Sequence, residues 1–239
     1  MYFAALVVYN VRTRKVRSIL TGVAVAISVM TVVAMGVLTH SLRTTAISIL
    51  RTGRADFTVA QRDVSDVLYS SIEERDLDTI AADPDVESVI GVLVAPFKLD
   101  DDHPFFLRIG VPTDGLEPFG VHIVAGRAYT NNALDEVLLG IRASEELGKG
   151  VGDQVTLDGT EYEVVGVYQT GQVFGDAGSM LPLIALQADQ RKPGTVTLGF
   201  VRAKEGSDIE ALRTRLEQAL PHLATVRTES DFGQVDRNL

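Results

Sequence analysis

The sequence predicts an α+β protein: one long N-terminal transmembrane helix followed by an extracytoplasmic α+β domain, with a small β-rich subdomain inserted into it. Three observations predict this. Charge is segregated along the 239 residues: the first 55 hold seven Lys/Arg and no acid, while the other fifteen bases and all 32 acids lie beyond, leaving that part at −17. Residues 19–38 carry no charged side chain. From residue 55 onward, short β-branched runs alternate with amphipathic helical patterns, the texture of a layered globule.

The apolar stretch comes first. At about 1.5 Å per residue its length as a helix matches a hydrocarbon core roughly 30 Å thick. Counting the flanks that share its helical spacing, the span is expected over residues 17–42. Arg12, Arg14, Lys15 and Arg17 crowd its upstream side, whereas Arg43, Arg51 and Arg54 are sparser downstream. The denser cationic flank stays cytoplasmic, so these four residues orient the helix with the N-terminus inside and residues from about 55 outside. Residues 1–16 then form a basic cytoplasmic or interfacial segment whose cations face lipid phosphates. A cleaved leader competes with this reading, because Ala34-Met35-Gly36 is a passable small-residue site. Its apolar region would be unusually long, and helical spacing continues past it through Leu38, Leu42, Ala46 and Ile49. That continuation predicts a stalk over 43–54. Within the span, Ser18, Gly22 and Ala26 repeat every four residues, a seam along which a second helix can approach closely.

The globule follows. Residues 55–61 read as a strand, 72–83 as an amphipathic helix stopped by Pro84, 86–96 as a strand stopped by Pro96, and 104–111 as another strand. Between the last two lies a polar tip containing Asp100-Asp101-Asp102-His103. The following segment changes texture. Glu136-Val137-Leu138-Leu139-Gly140 is a short strand, and a brief helix after it closes at Gly148. Asp158-Gly159 then marks a tight hairpin, a pairing that accepts positive φ at both positions. Residues 181–190 read as a helix and 195–203 as a strand. Residues 207–220 form an amphipathic helix, with Ser207 and Glu210 at capping-box spacing. A last strand, 222–228, follows Pro221. These readings divide the globule into an α+β subdomain, 55–121 with 181–230, and a β-rich insert, 122–180. The two βαβ-type units of the subdomain are expected to share a sheet, and the insert to close on itself. The polar tail, 231–239, is expected to lead toward a second membrane helix.

The chemistry-bearing patterns point away from catalysis, and the chain is expected not to be an enzyme. The sequence has no cysteine, which removes thiolate metal sites, disulfides and cysteine nucleophiles. Gly148-Lys149-Gly150-Val151-Gly152 lacks the spacing and hydroxyl of a phosphate-binding loop and reads as a helix end followed by a turn. Consecutive residues such as Asp100 to Asp102 cannot all address one ion, so that tip reads as a solvated loop rather than a metal site. The histidines at 40, 103, 122 and 222 are scattered. A globule at −17 repels nucleic acid. No catalytic residue, cofactor or metal is expected.

Several stretches, taken in order, resemble one family. The opening Asn10-Val11-Arg12-Thr13-Arg14-Lys15-Val16-Arg17-Ser18-Ile19-Leu20-Thr21 resembles the run into the first membrane helix of MacB/FtsX-type ABC-transporter permeases. Gly126-Arg127, Glu136 to Gly140, Ala143, Leu147-Gly148, Val151-Gly152-Asp153-Gln154-Val155, Tyr162 to Val167, Leu181-Pro182-Leu183 and the helix over 207–220 resemble the MacB-like periplasmic core domain in the same order. The resemblance implies a permease subunit that couples hydrolysis by a separate ABC ATPase subunit to movement of its outer domain, for export, extraction or mechanotransmission. It also implies a second permease copy or homologue as partner. The family carries further membrane helices after this domain, and the chain resembles only the part before them. The alternative is a single-span, membrane-anchored binding or sensor module.

Overall fold

The computed structural model describes residues 16, 20, 23–35, 55–64, 67–101 and 103–227. The chain divides into two units, residues 1–46 and 47–239.

In the first unit, residues 23–35 are helical, and every one of them is exposed. Ser28 and Thr31 donate their hydroxyls to the carbonyls of Ala24 and Ile27, both at 2.9 Å, so these polar groups are satisfied within the helix. Among the described residues no helix is long and apolar enough to cross a membrane. Residues 17–19, 21–22 and 36–42 of the expected span, and the stalk over 43–54, lie outside the described residues.

The second unit is built on strands β1 (Phe57–Gln61), β2 (Ile72–Glu73), β3 (Val86–Phe97), β4 (Phe106–Val111), β5 (His122–Gly126), β6 (Glu136–Gly140), β7 (Gln154–Leu157), β8 (Thr160–Gln169), β9 (Ser179–Pro182), β10 (Thr195–Val196), β11 (Leu198–Ala203) and β12 (Leu223–Val226). Its helices are α1 (Glu74–Ala81), α2 (Ile141–Leu147), α3 (Val173–Asp176), α4 (Leu183–Asp189) and α5 (Ile209–Ala219). Ten strands form one hydrogen-bonded run in the order β12-β1-β11-β3-β4-β9-β6-β8-β5, with β7 beside β8, while β2 and β10 pair separately. The pairs β4–β9 and β6–β8 are parallel; all other neighbours run antiparallel.

Strand β3 makes the run continuous. Its first half pairs with β11, through Val92, and its second half with β4, from Leu93 onward. This is why Pro96 does not end the strand. Val94 N–H points to the β11 side, where it donates to Thr197 Oγ1 at 3.0 Å. Two residues on, the nitrogen of Pro96 faces the same side after β11 has turned away, so no ladder bond is lost.

Helices α1 and α5 cover one face. Leu77 and Ile80 from α1, with Leu212 and Leu216 from α5, join Phe57, Val59, Val201 and Leu223 in one buried cluster. Gly91 and Gly199 sit opposite each other on β3 and β11, and a Cβ on either would meet the Leu77 side chain at 2.6 or 2.8 Å. The glycine pair is the seat that lets α1 lie close to the sheet. At the outer edge, the carbonyls of Leu223 and Thr225 on β12 accept from Arg62 and Arg213 at 3.0 and 3.1 Å. Side chains thus close that edge against further strand pairing.

The structure corrects several expectations. The insert does not close on itself: β6 pairs with β9, and β9 pairs with β4, so its strands prolong the sheet of the rest. One strand thereby satisfies the open edges of both β4 and β6. Strand β9 ends inside the stretch read as a helix from 181, because Leu181 and Pro182 extend the ladder beside Gly110 and Val111. Ile72 and Glu73 pair with β10 instead of opening α1. The cap of α5 is Asp208, not Ser207, accepting from Glu210 N–H and Ala211 N–H, both at 3.1 Å. The turn at Asp158-Gly159 has φ of 53° and 85° and Gly148 has φ of 61°, as their residue types demand.

Candidate functional site: a buried ionic joint

The strand Phe106-Leu107-Arg108-Ile109-Gly110-Val111 is buried at all six positions, and one of them is an arginine. The side chain of Arg108 is 1% exposed. A guanidinium keeps its charge at any pH a protein meets, so it tolerates burial only with acids and hydrogen-bond acceptors around it. Two aspartates supply them from distant parts of the chain. Nη2 donates to Asp158 at 2.5 Å, and Nη1 donates to Asp189. The guanidinium carbon stands 4.8 Å from the centre of the Phe97 ring, a cation–π contact from the neighbouring strand. Nε is buried with no hydrogen-bond partner.

Local folding explains how each partner arrives. Asp189 is the last residue of α4, which follows β9 directly. Asp158 sits at the two-residue turn joining β7 to β8. Leu157, wholly buried, packs beside it with Phe106, Val155, Tyr162 and Leu181, and Phe97 packs against the edge of this cluster. Thr160, at the start of β8, adds a second tie by donating to Asp189 Oδ1 at 2.9 Å. One joint therefore fastens the β7–β8 hairpin to β4 and α4.

The charges here are fixed rather than proton-active. Burial pushes the Asp189 carboxyl up, but hydrogen bonds from Thr160 and Arg108 more than reverse this and hold it below its ordinary value. Burial raises the Tyr162 hydroxyl, and the nearby Asp189 charge adds to the effect. Held low, the Asp189 carboxyl is not poised to exchange protons with a substrate near neutrality. What the arrangement can do is hold chain segments together.

The residues singled out from sequence lie elsewhere. Arg12, Arg14, Lys15, Arg17, Ser18 and Gly22 fall outside the described residues, and Ala26 is an exposed helical position. His103 stands 2.8 Å from Asp100 and 3.8 Å from Glu146. Among the described residues no group of His, Asp or Glu could hold a metal ion. Sequence reasoning missed Arg108, though a lone arginine within Phe-Phe-Leu-Arg-Ile-Gly-Val was a visible signal: a charge on a strand with apolar residues on both faces.

The family model for the MacB-like periplasmic core domain matches residues 18–219. The chain belongs to this family. Solved MacB-like domains share its fold. The periplasmic region of MacB from Actinobacillus actinomycetemcomitans superposes with a TM-score of 0.57 at 12% identity, covering 80% of this chain and 96% of that one. The extracellular domain of the noncanonic ABC-type transporter YknZ from Gram-positive bacteria gives 0.56 at 14% identity, covering 71% and 98%. No curated protein matches by sequence. The MacB-like match runs from within the N-terminal apolar stretch to the end of α5, so it includes all three segments that meet at Arg108.

Proposed function

We propose that this chain is the N-terminal part of a permease subunit of a MacB/FtsX-type ABC transporter. Residues 17–42 span the cell membrane, the N-terminus is cytoplasmic, and the globule from about residue 55 stands outside. A separate ATPase subunit hydrolyses ATP, and a second permease copy or homologue completes the transporter. The chain itself carries out no catalysis in this reading.

The observation that carries the proposal is the family match together with the way the chain passes through the globule. The chain enters on β1 and leaves on β12, which are adjacent and antiparallel, with Thr58 opposite Val226. Both ends of the globule therefore emerge side by side, as a domain borne between two membrane helices requires. The charge pattern agrees, with four cations packed before the apolar run and every acid beyond it. A globule moved by helices at its base transmits force only if its parts are fastened to one another. The continuous sheet and the Arg108–Asp189 pair supply that fastening.

The test is purification of the protein from native membranes under conditions that preserve complexes. An ABC ATPase subunit is expected to co-purify in stoichiometric amount. Repeated purification without any nucleotide-binding partner overturns the reading.

A further inference from the structure

We propose that the β7–β8 hairpin is a releasable clasp: its tip lets go of Arg108 at Asp158 while the Arg108–Asp189 pair stays closed. The opening uncovers the apolar seat beneath Leu157.

The argument starts from unequal arms. Arg108 brings one positive charge and the two aspartates bring two negative ones, so the joint carries an excess acid. Removing Asp158 leaves a neutral pair. Removing Asp189 also leaves a neutral pair, but one whose acid is the half-exposed turn residue. Exposure points the same way: the Asp158 side chain is 48% exposed and that of Asp189 is 17% exposed. On release Asp158 regains water that it already half contacts, whereas Asp189 would stay buried and unpaired.

The fold supplies a movable piece of matching extent. Among the described residues strand β7 pairs only with β8. Strand β8 is tied to β6 from Glu163 onward, opposite Glu136. Residues 154–162 thus lie outside the main ladder, and the turn between them has two residues. The Asp158–Arg108 ion pair, the Thr160–Asp189 hydrogen bond and the buried side chains of Val155, Leu157 and Tyr162 hold this piece to the body. Lifting the tip exposes Leu157 first, and with it part of the cluster it shares with Phe106 and Leu181. The guanidinium serves two acids through its two Nη atoms and leaves Nε without a partner. The clasp stands independently of the transport reading, since it needs only this fold.

Hydrogen–deuterium exchange on the full chain tests it. In the unaltered protein, amides of residues 154–162 exchange faster than those of β3, β4 and β9. Asp158→Asn speeds them further by about fivefold to tenfold, the weight of a partly exposed ion pair, and leaves β4 unchanged. Asparagine suits the positive φ of that turn, so the variant keeps the hairpin. Asp189→Asn accelerates exchange across β4 and α4 as well. Raising salt to about 0.5 M in the unaltered protein moves the hairpin amides in the Asp158→Asn direction, because the half-exposed arm is the one that salt reaches. Uniform exchange of the hairpin with β4 in all samples overturns the clasp, as does an identical pattern for the two variants.

Discussion

Two arginines in the globule each face a pair of aspartates, and they differ in little except burial. Arg215 on α5 binds Asp83 through Nε and Nη2, both at 2.9 Å, and Asp85 at 2.7 Å. Arg108 on β4 binds Asp158 and Asp189. The Arg215 side chain is 46% exposed and that of Arg108 is 1% exposed. The Arg215 cluster is the better bonded, with a bidentate contact to Asp83, yet it is the less consequential. Water already reaches its Arg215 and Asp85, both half-exposed, although Asp83 is mostly buried. Around the Arg108 guanidinium water is excluded, so Arg108 and the mostly buried Asp189 depend on one another. What separates a decorative ion pair from a structural one here is the cost of breaking it, not the number of bonds in it.

The largest expected effect comes from breaking the buried member of the comparison. Arg108→Ala strands Asp189 without its cation, opens space beside Phe97, and is expected to cost about 3–5 kcal/mol in denaturant unfolding. Removing the whole joint is expected to cost far less. Arg108→Met combined with Asp158→Asn and Asp189→Leu leaves no buried charge and refills the space with apolar atoms, so stability returns to within about 1–2 kcal/mol of the starting protein. A triple variant as unstable as Arg108→Ala would show that geometry specific to the guanidinium, rather than charge burial, holds the joint.

Acid sharpens the comparison next. Asp83 is held below its ordinary value chiefly by the hydrogen bond from Arg215, and Asp189 is held low against the opposing pull of its burial. A carboxyl with a lowered folded pKa contributes stability that is present above its unfolded value and is lost as pH falls through its folded value. Unfolding midpoints are therefore expected to be flat near neutrality and to fall below about pH 4. Asp83→Asn and Asp189→Asn should each flatten part of that fall. Both carboxyls are largely buried, so the difference lies in their partners: added salt should weaken the share owed to Asp83, whose Arg215 is half-exposed, more than that owed to Asp189, whose Arg108 is buried. Salt weakening both alike would mean that exposure of the arginine does not set the response and would dissolve the distinction.

Much of this fold was legible in the sequence because it rests on local chemistry. Asp158-Gly159 turns where two positive φ values are needed, Gly148 ends α2, and Pro221 follows the end of α5. Strand β5 was not legible: His122-Ile123-Val124-Ala125-Gly126 is exposed at all five positions, so it carries no alternation between core and solvent. The end of β9 was hidden because Leu181 to Leu186 is apolar enough for either a strand or a helix. The continuity of the sheet was invisible for a deeper reason. Whether β9 seals the edges of both β4 and β6 is decided by pairings that no local pattern records. The joint fails the same way. Arg108 announces itself as a charge in an apolar strand, but its partners lie 50 and 81 residues away. The cationic run before the apolar stretch, by contrast, was legible only as sequence.

The smallest expected effect belongs to the exposed member of the comparison. Arg215→Ala removes three hydrogen bonds and a cation from beside Asp83 and Asp85, so a count of contacts ranks it as severe. Solvent exposure reverses that ranking. Arg215 and Asp85 are half-exposed and exchange one another for water and counterions at moderate ionic strength, which leaves the mostly buried Asp83 as the one member that loses a partner it cannot fully replace. The remaining consequence is mild repulsion between Asp83 and Asp85, partly offset because Asp83 Oδ1 still accepts from the backbone N–H of Asp85 at 3.0 Å. Arg215→Ala is thus expected to shift the unfolding midpoint by a small fraction of the Arg108→Ala shift, with the difference vanishing in about 1 M salt. Scanning the thermal midpoint of both variants against salt checks this directly. A loss at Arg215 that rivals Arg108 and persists in high salt would mean that the contact between α5 and the turn before β3 holds the fold together. Burial would then be the wrong guide to which ion pairs matter in this domain.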